Sequence, residues 1–224
     1  DMGVNCAGSG IVDDAAVREA AKQEIIRRYF RYSCEYAMGL SARKAVERAE
    51  EIMERVGAGP ADRKVVTAAR KAAEEAEQTG KGNEGIFCGA AMELADGKIV
   101  TGKNSPLMHA ASSLVMNAIK QLAEIPDKMH LLPPSIIESI GHTKKDVLKT
   151  KQISLSLDET LIALSISATS NPAAQMAVDK LKELQGCEVH ITHMPTPGDE
   201  AGLRRLGVNL TSDPNFSSKC LFVT

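Results

Sequence analysis

The stretch GAAMELADGKIVTGKNSP, residues 89–106, decides the fold. GAAMEL and KIVTGK are short strand-like runs on either side of Asp96-Gly97, the strongest short-range signal for a hairpin turn. From Pro106 to about Ala123 the period changes. Leu107, Ala110, Ala111, Leu114, Val115, Ala118 and Leu122 recur at helical spacing with few polar neighbours, which predicts a buried helix. A hairpin leading into a buried helix needs a sheet for both to pack on.

Working outward toward the N-terminus, the first eighty residues read as helices. Residues 14–36 place Val17, Ala20, Ala21, Ile25 and Tyr29 on one stripe, with Asp13 or Asp14 as N-cap. Ser41 is expected to cap a second helix that Gly57 stops, and Pro60 to open a third that ends near Gly80. The polar, Gly-rich stretch KAAEEAEQTGKGNEG suggests a boundary, giving a helical subdomain over 1–82 and an α/β portion over 83–224.

Toward the C-terminus, HLLPPSIIESI breaks at Pro-Pro into a short helix, and HTKKDVLKTKQ reads as a polar linker. SLDETLIALSISATS reads as another buried helix, with Ser156 and Glu159 forming a capping box. Asn171-Pro172 is an N-cap followed by a first-turn proline, and Gly186 closes that helix. CEVHITH, the helix opened by PGDE, and VNLTS then form a strand, a helix and a strand, the pattern of a parallel crossover. The expected fold class is therefore mixed α/β: helices first, then a small mixed sheet with a hairpin and a terminal β-α-β unit.

Composition narrows the function. The 224 residues carry 27 basic and 29 acidic side chains, a net charge of −2 with the signs interspersed, which excludes a bulk binder of nucleic acid or anionic membrane. Aromatics make up 3% with no Trp, too few for base-stacking platforms. No apolar run nears the roughly 20 residues of a membrane span. Cys6, Cys34, Cys88, Cys187 and Cys220 are scattered and odd in number, a pattern of reduced thiols that points to the cytoplasm. The start DMGVNCAGSG has no basic or apolar signal region and no initiator Met, so the chain is expected to be an excised or processed piece of something longer.

Three constellations carry chemistry. Thr101, Gly102, Lys103, Asn104 and Ser105 join a glycine turn, an ammonium and hydroxyls to an expected helix start, a combination suited to an anion. His109, one turn further on, is a candidate for the same ligand. Gly97 to Lys103 also satisfies G-x-x-x-x-G-K formally, but the intervening residues are strand-like and Asn104 stands where the magnesium-binding hydroxyl belongs. The competing reading has Asn104 or Ser105 capping the helix and Lys103 in solvent. His190 and His193 fall on opposite faces of their strand, which argues against a shared metal ion. His193, nearer the strand's carboxyl end, is the better acid/base candidate, with His190 second. Asn171 is a further ligand candidate that a capping role also explains. Cys34 and Cys88 read as core, and Gly8-Ser9-Gly10 is too short for a nucleophile elbow. No metal site and no cofactor are indicated.

The blocks DMGVN, IVDDAAVREAAKQEIIRRYFRY, IVTGKNSPLMHAASSLVMNAIK, LIALSISATSNPAA, GCEVHITH and LGVNLTSDP resemble, in order, the C-terminal half of the bacterial family called domain of unknown function 1846. Only SSKCLFVT stands outside the likeness. The resemblance implies a longer cytoplasmic protein whose N-terminal half is an α/β nucleotide-binding region. It supplies no catalytic residues. Two functions are expected to compete. One is an enzyme handling a phosphate- or nucleotide-bearing ligand. The other is a structural module that joins the rest of the protein, or a second copy, without chemistry of its own.

Overall fold

The computed structural model describes residues 13–217, so Cys6, Gly8-Ser9-Gly10, Cys220 and most of SSKCLFVT lie outside the described residues. The chain divides into two compact units, one running up to Arg63 and the other beginning at Lys64.

The first unit pairs α1 (Asp14–Ala37) with α2 (Arg43–Arg55). The Asp13 carboxylate caps α1 by accepting from the amides of Ala15 and Ala16, as its position predicts. The buried stripe of α1 is Ile26, Phe30 and Ser33, whereas Val17, Ala20 and Ala21 are exposed. The expected stripe was thus off by one residue, about 100° around the helix. The larger apolar side chains Ile26 and Phe30 set the face, because burial energy scales with area. Ala42, not Ser41, precedes α2, and no side chain caps that helix. Pro60 opens only a single 3-10 turn, Pro60–Asp62, closed by Asp62 accepting from the Gly59 amide at 2.7 Å.

The second unit is a four-stranded sheet between helices. Among the described residues its strands are β1 (Gly89–Glu93), β2 (Ile99–Lys103), β3 (Glu188–Ile191) and β4 (Asn209–Ser212), in the order β2-β1-β3-β4. β1 runs antiparallel to both β2 and β3, and β4 runs parallel to β3. The hairpin turns at Gly97, whose φ of 80° belongs to the left-handed region that glycine adopts cheaply. The crossover from β3 to β4 passes through α8 (Pro197–Arg205). The mixed α/β class is as expected.

α3 (Lys64–Gln78) packs on β1 and so belongs with the sheet rather than with the helices before it. Val65 and Ala69 of α3 meet Ala91 on one face of the sheet. On the opposite face, Ala90 and Met92 meet α4 (Ala110–Leu122) and α6 (Leu157–Ala168) in the main core. Two glycines permit these close contacts. A Cβ on Gly89 would fall 2.2 Å from the Ala69 carbonyl oxygen, and one on Gly102 would fall 2.3 Å from the Leu114 amide nitrogen.

The remaining helices are α5 (Pro134–His142), which runs on into a π-helical turn at Thr143–Val147, and α7 (Pro172–Asp179). The turn occupies part of what the sequence suggests is a polar linker. Glu159 accepts from the Ser156 amide at 2.8 Å, as a capping box requires. α6 is only half buried, however: Leu157, Ala163 and Leu164 are inside, while Ile162 and Ile166 are 63% and 57% exposed. Among the described residues, no helix is long and apolar enough to cross a membrane.

Candidate functional site

A cavity of about 50 Å³ opens where the start of α4, the segment after β3 and the start of α8 meet. It has room for a few water-sized groups. Its lining includes Cys88, Ser105, His109, His193 and Asp199. The residues come together because antiparallel pairing sets the end of β3 beside the start of β1. Beyond the paired strands, the Thr192 amide donates to the Gly89 carbonyl at 2.9 Å.

His109 is the N-cap residue of α4 and borders the cavity. Its Nδ1–H donates to Asp199 Oδ2 at 2.7 Å. Asp199 lies in the first turn of α8, is buried, and also accepts from the Thr196 hydroxyl at 2.7 Å and the Leu157 amide at 2.8 Å. Burial pushes the Asp199 carboxyl up, but the bonds from His109, Thr196 and Leu157 outweigh it and hold it below the usual range. An ionised Asp199 can only accept, which fixes the ring proton on Nδ1 and leaves a lone pair on Nε2. His109 Nε2 is buried and has no hydrogen-bond partner. An oriented imidazole with one nitrogen held by a carboxylate and the other left without a partner is the arrangement of a general base.

His193 stands two residues beyond β3, with Nδ1 3.1 Å from Thr192 Oγ1. Burial lowers its pKa, and the Asp213 charge offsets this only in part, so it is held neutral at pH 7. Thr192 Oγ1 accepts from the Gly89 amide at 3.0 Å and lies 3.8 Å from the Cys88 sulfur. Burial pushes the Cys88 thiol up to about 12, so it is a neutral wall of the cavity rather than a thiolate nucleophile.

His190 points elsewhere. It is fully buried on the face of the sheet opposite the cavity, with Nδ1 2.9 Å from Thr211 Oγ1 and Nε2 3.5 Å from Asp213 Oδ1. Arg70 of α3 donates to both oxygens of Asp213 at 2.7 and 3.1 Å. The opposition of the two histidines follows from their spacing, although β3 itself ends at Ile191.

The turn at 101–105 is built differently from the expected anion cradle. α4 begins at Ala110, so Lys103 lies in β2, well before any helix start, and Pro106 and Leu107 are exposed. Lys103 donates to Glu75 Oε2 at 2.8 Å. Asn104 spends both ends of its amide on the chain: Oδ1 accepts from the Cys88 amide and Nδ2 donates to the Ile86 carbonyl. Ser105 Oγ accepts from the amides of Leu107 and Met108. The Thr101 carbonyl accepts from Asn117 Nδ2, and Gly102 is a packing glycine under α4. These residues line a separate open groove with Lys81 and Ser113. Asn171 caps α7, accepting from the amides of Ala173 and Ala174, and lines neither the cavity nor the groove. Of the residues singled out from sequence, Asn104, Ser105, His109 and His193 therefore meet at the cavity. Thr101, Gly102, Lys103, Asn171 and His190 do not.

Comparison with known proteins fixes the lineage. The profile described as "Domain of unknown function DUF1846, C-terminal" matches residues 61–222, and that described as "Domain of unknown function DUF1846, N-terminal" matches residues 1–57. The chain belongs to the DUF1846 family. It is 47% identical over 222 residues to a UPF0371 protein of Clostridium botulinum strain Eklund 17B. Identity is 44% over 222 residues to one of Clostridioides difficile strain 630 and 42% over 222 to one of Clostridium tetani strain Massachusetts. Each match covers 99% of this chain and 44% of the relative, so the chain spans less than half the length of these curated relatives. The DUF1846 matches also correct the expectation of a C-terminal half alone, because residues 1–57 match the N-terminal profile. The junction of the two matches falls close to Arg63, where the structure divides.

In this DUF1846 chain, sequence reasoning passed over Asp199, Thr192 and Thr196, while Cys88, read as core, is indeed in the core and also borders the cavity. Asp199 carries only a local signal, an acid in the first turn of a helix, which dipole complementarity accounts for. Nothing in one sequence couples it to His109, 90 residues away.

Proposed function

We propose that this part of the protein is an enzyme portion performing general acid–base chemistry, with His109 as the base and Asp199 as the residue that orients it. The observation that supports this is the 2.7 Å His109–Asp199 bond together with the unpartnered Nε2 beside a cavity. His193, neutral and on the same cavity wall, is the second candidate for proton transfer. His190 serves the sheet instead. Nitrogen-15 NMR of the ring tests the proposal. At pH 7.5 the expected state is Nδ1–H with a lone pair on Nε2, changing in Asp199→Asn. A proton on Nε2 in the unmodified protein would sink it.

A second reading rests on α6, where Ile162 and Ile166 stand exposed one turn apart. In it this face docks on the polypeptide that the curated relatives carry beyond the matched part. Ile162→Glu/Ile166→Glu in the full-length protein is then expected to loosen its two parts, seen as faster limited proteolysis. Loss of a dimer in sizing experiments would assign the face to a second copy instead.

A further inference from the structure

We infer that the His109 cavity is a site for a small oxyanion, a carboxylate or phosphate group, taken up together with the proton that His109 receives on Nε2. The inference rests on the acid–base reading above and adds the class of ligand.

The charge balance of the lining carries it. Among the lining residues the only acid is Asp199, and all its bonds run to the protein: His109, Thr196 and Leu157. The Asp199 charge is compensated once His109, 2.7 Å away, takes up a proton, so an anion is accommodated only together with that proton, and among the described residues no group of His, Cys, Asp and Glu is placed to hold a metal ion. Ala110 and Ala111, the first two residues of α4, also line the cavity, and the His109 side chain does not cap that helix. The start of that helix, whose dipole favours negative charge, therefore borders the cavity together with His109, whose Nε2 is buried and unpartnered. The Ser105 hydroxyl accepts two amides and keeps its proton to donate.

The groups around His109 set the sign of the pH dependence. α8 contributes Asp199, the residue before β1 contributes the neutral Cys88 thiol, and the segment after β3 contributes the neutral His193. On the α6 side, Lys144 donates to the Ser154 carbonyl and to Glu159 Oε2, so that pair is self-compensating. With His109 neutral, Nε2 offers an anion only a lone pair. Once protonated it offers an N–H beside the α4 amides. Because the ligand is taken up with a proton, binding must then strengthen as pH falls.

Calorimetry on the full chain tests this with inorganic phosphate and with acetate, against chloride. Titrations in two buffers of different ionisation heat count the protons taken up. The expected result is about tenfold tighter binding at pH 6 than at pH 8 for one of the two oxyanions, with proton uptake and no response to chloride. Which oxyanion binds tells phosphate from carboxylate. His109→Asn is expected to weaken binding at least tenfold and remove the uptake, while Lys103→Ala leaves both unchanged. Binding that does not depend on pH, that chloride reproduces, or that Lys103→Ala abolishes would overturn the inference, as would no binding. Such an outcome with the Nδ1–H tautomer intact removes only the ligand class. A proton on Nε2 removes the acid–base reading as well.

Discussion

The two faces of the sheet each pair a histidine with a carboxylate, and they do so to opposite ends. At His190 the network is closed: Thr211, Asp213 and Arg70 join β3, the end of β4 and α3, and the imidazole is sealed from solvent. At His109 it is half open, with one ring nitrogen held by Asp199 and the other buried without a partner beside a cavity. A closed polar network fixes a fold, because every member would cost free energy if stranded. A half-open one keeps a ring nitrogen that the fold itself does not engage.

Asp213→Asn should show the largest effect, because it takes a charge from the bidentate Arg70 pair and from His190 at once. A loss of about 2–4 kcal/mol is expected, seen as a fall in Tm of roughly 5–15 °C, with anion uptake at His109 retained. An unchanged Tm would erase the distinction between the faces.

The same carboxylate sets an acid limb of stability. Burial raises the Asp213 pKa, but its bonds to His190 and Arg70 bring it down to about 2, below the ordinary aspartate value of 3.8. Since the folded value lies below that of an ordinary aspartate, this stabilisation is complete above about pH 4 and is lost as pH falls toward 2. Roughly 1–2 kcal/mol should disappear over that window, and Asp213→Asn should flatten that part of a stability–pH curve.

His109→Asn is expected to cost less, about 1 kcal/mol or under, since Nε2 makes no bond in the fold. A loss as large as that of Asp213→Asn would mean the cavity is also structural. Smallest of all is Lys103→Ala, whose exposed pair with Glu75 is screened by water. Its Tm should not measurably move.

How much was legible follows range in the sequence. The Asp96-Gly97 hairpin, the Asn171-Pro172 helix start and the Asp13 cap were readable because each is settled within a few residues by turn or capping chemistry. The start of α4 was read four residues early. Pro106 looks like a first-turn proline, but the Ser105 hydroxyl binds the Leu107 and Met108 amides in a turn of its own, and the helix waits until Ala110. That shift separates Lys103, in β2, from the start of the helix at Ala110. The stripe of α1 was misjudged because Val17, Ala20 and Ala21 share a period with Ile25 without burying comparable area.

By itself, the sequence determined the alternation of helices and strands, the hairpin, the β-α-β end and the near-balance of charge. These depend on local periodicity and total charge. Only the tertiary structure decided that Gly102 and Gly89 serve packing and that His109 meets Asp199. Such pairings close loops of up to 90 residues, and their partners are chosen by the packing of the whole sheet rather than by any neighbour in sequence.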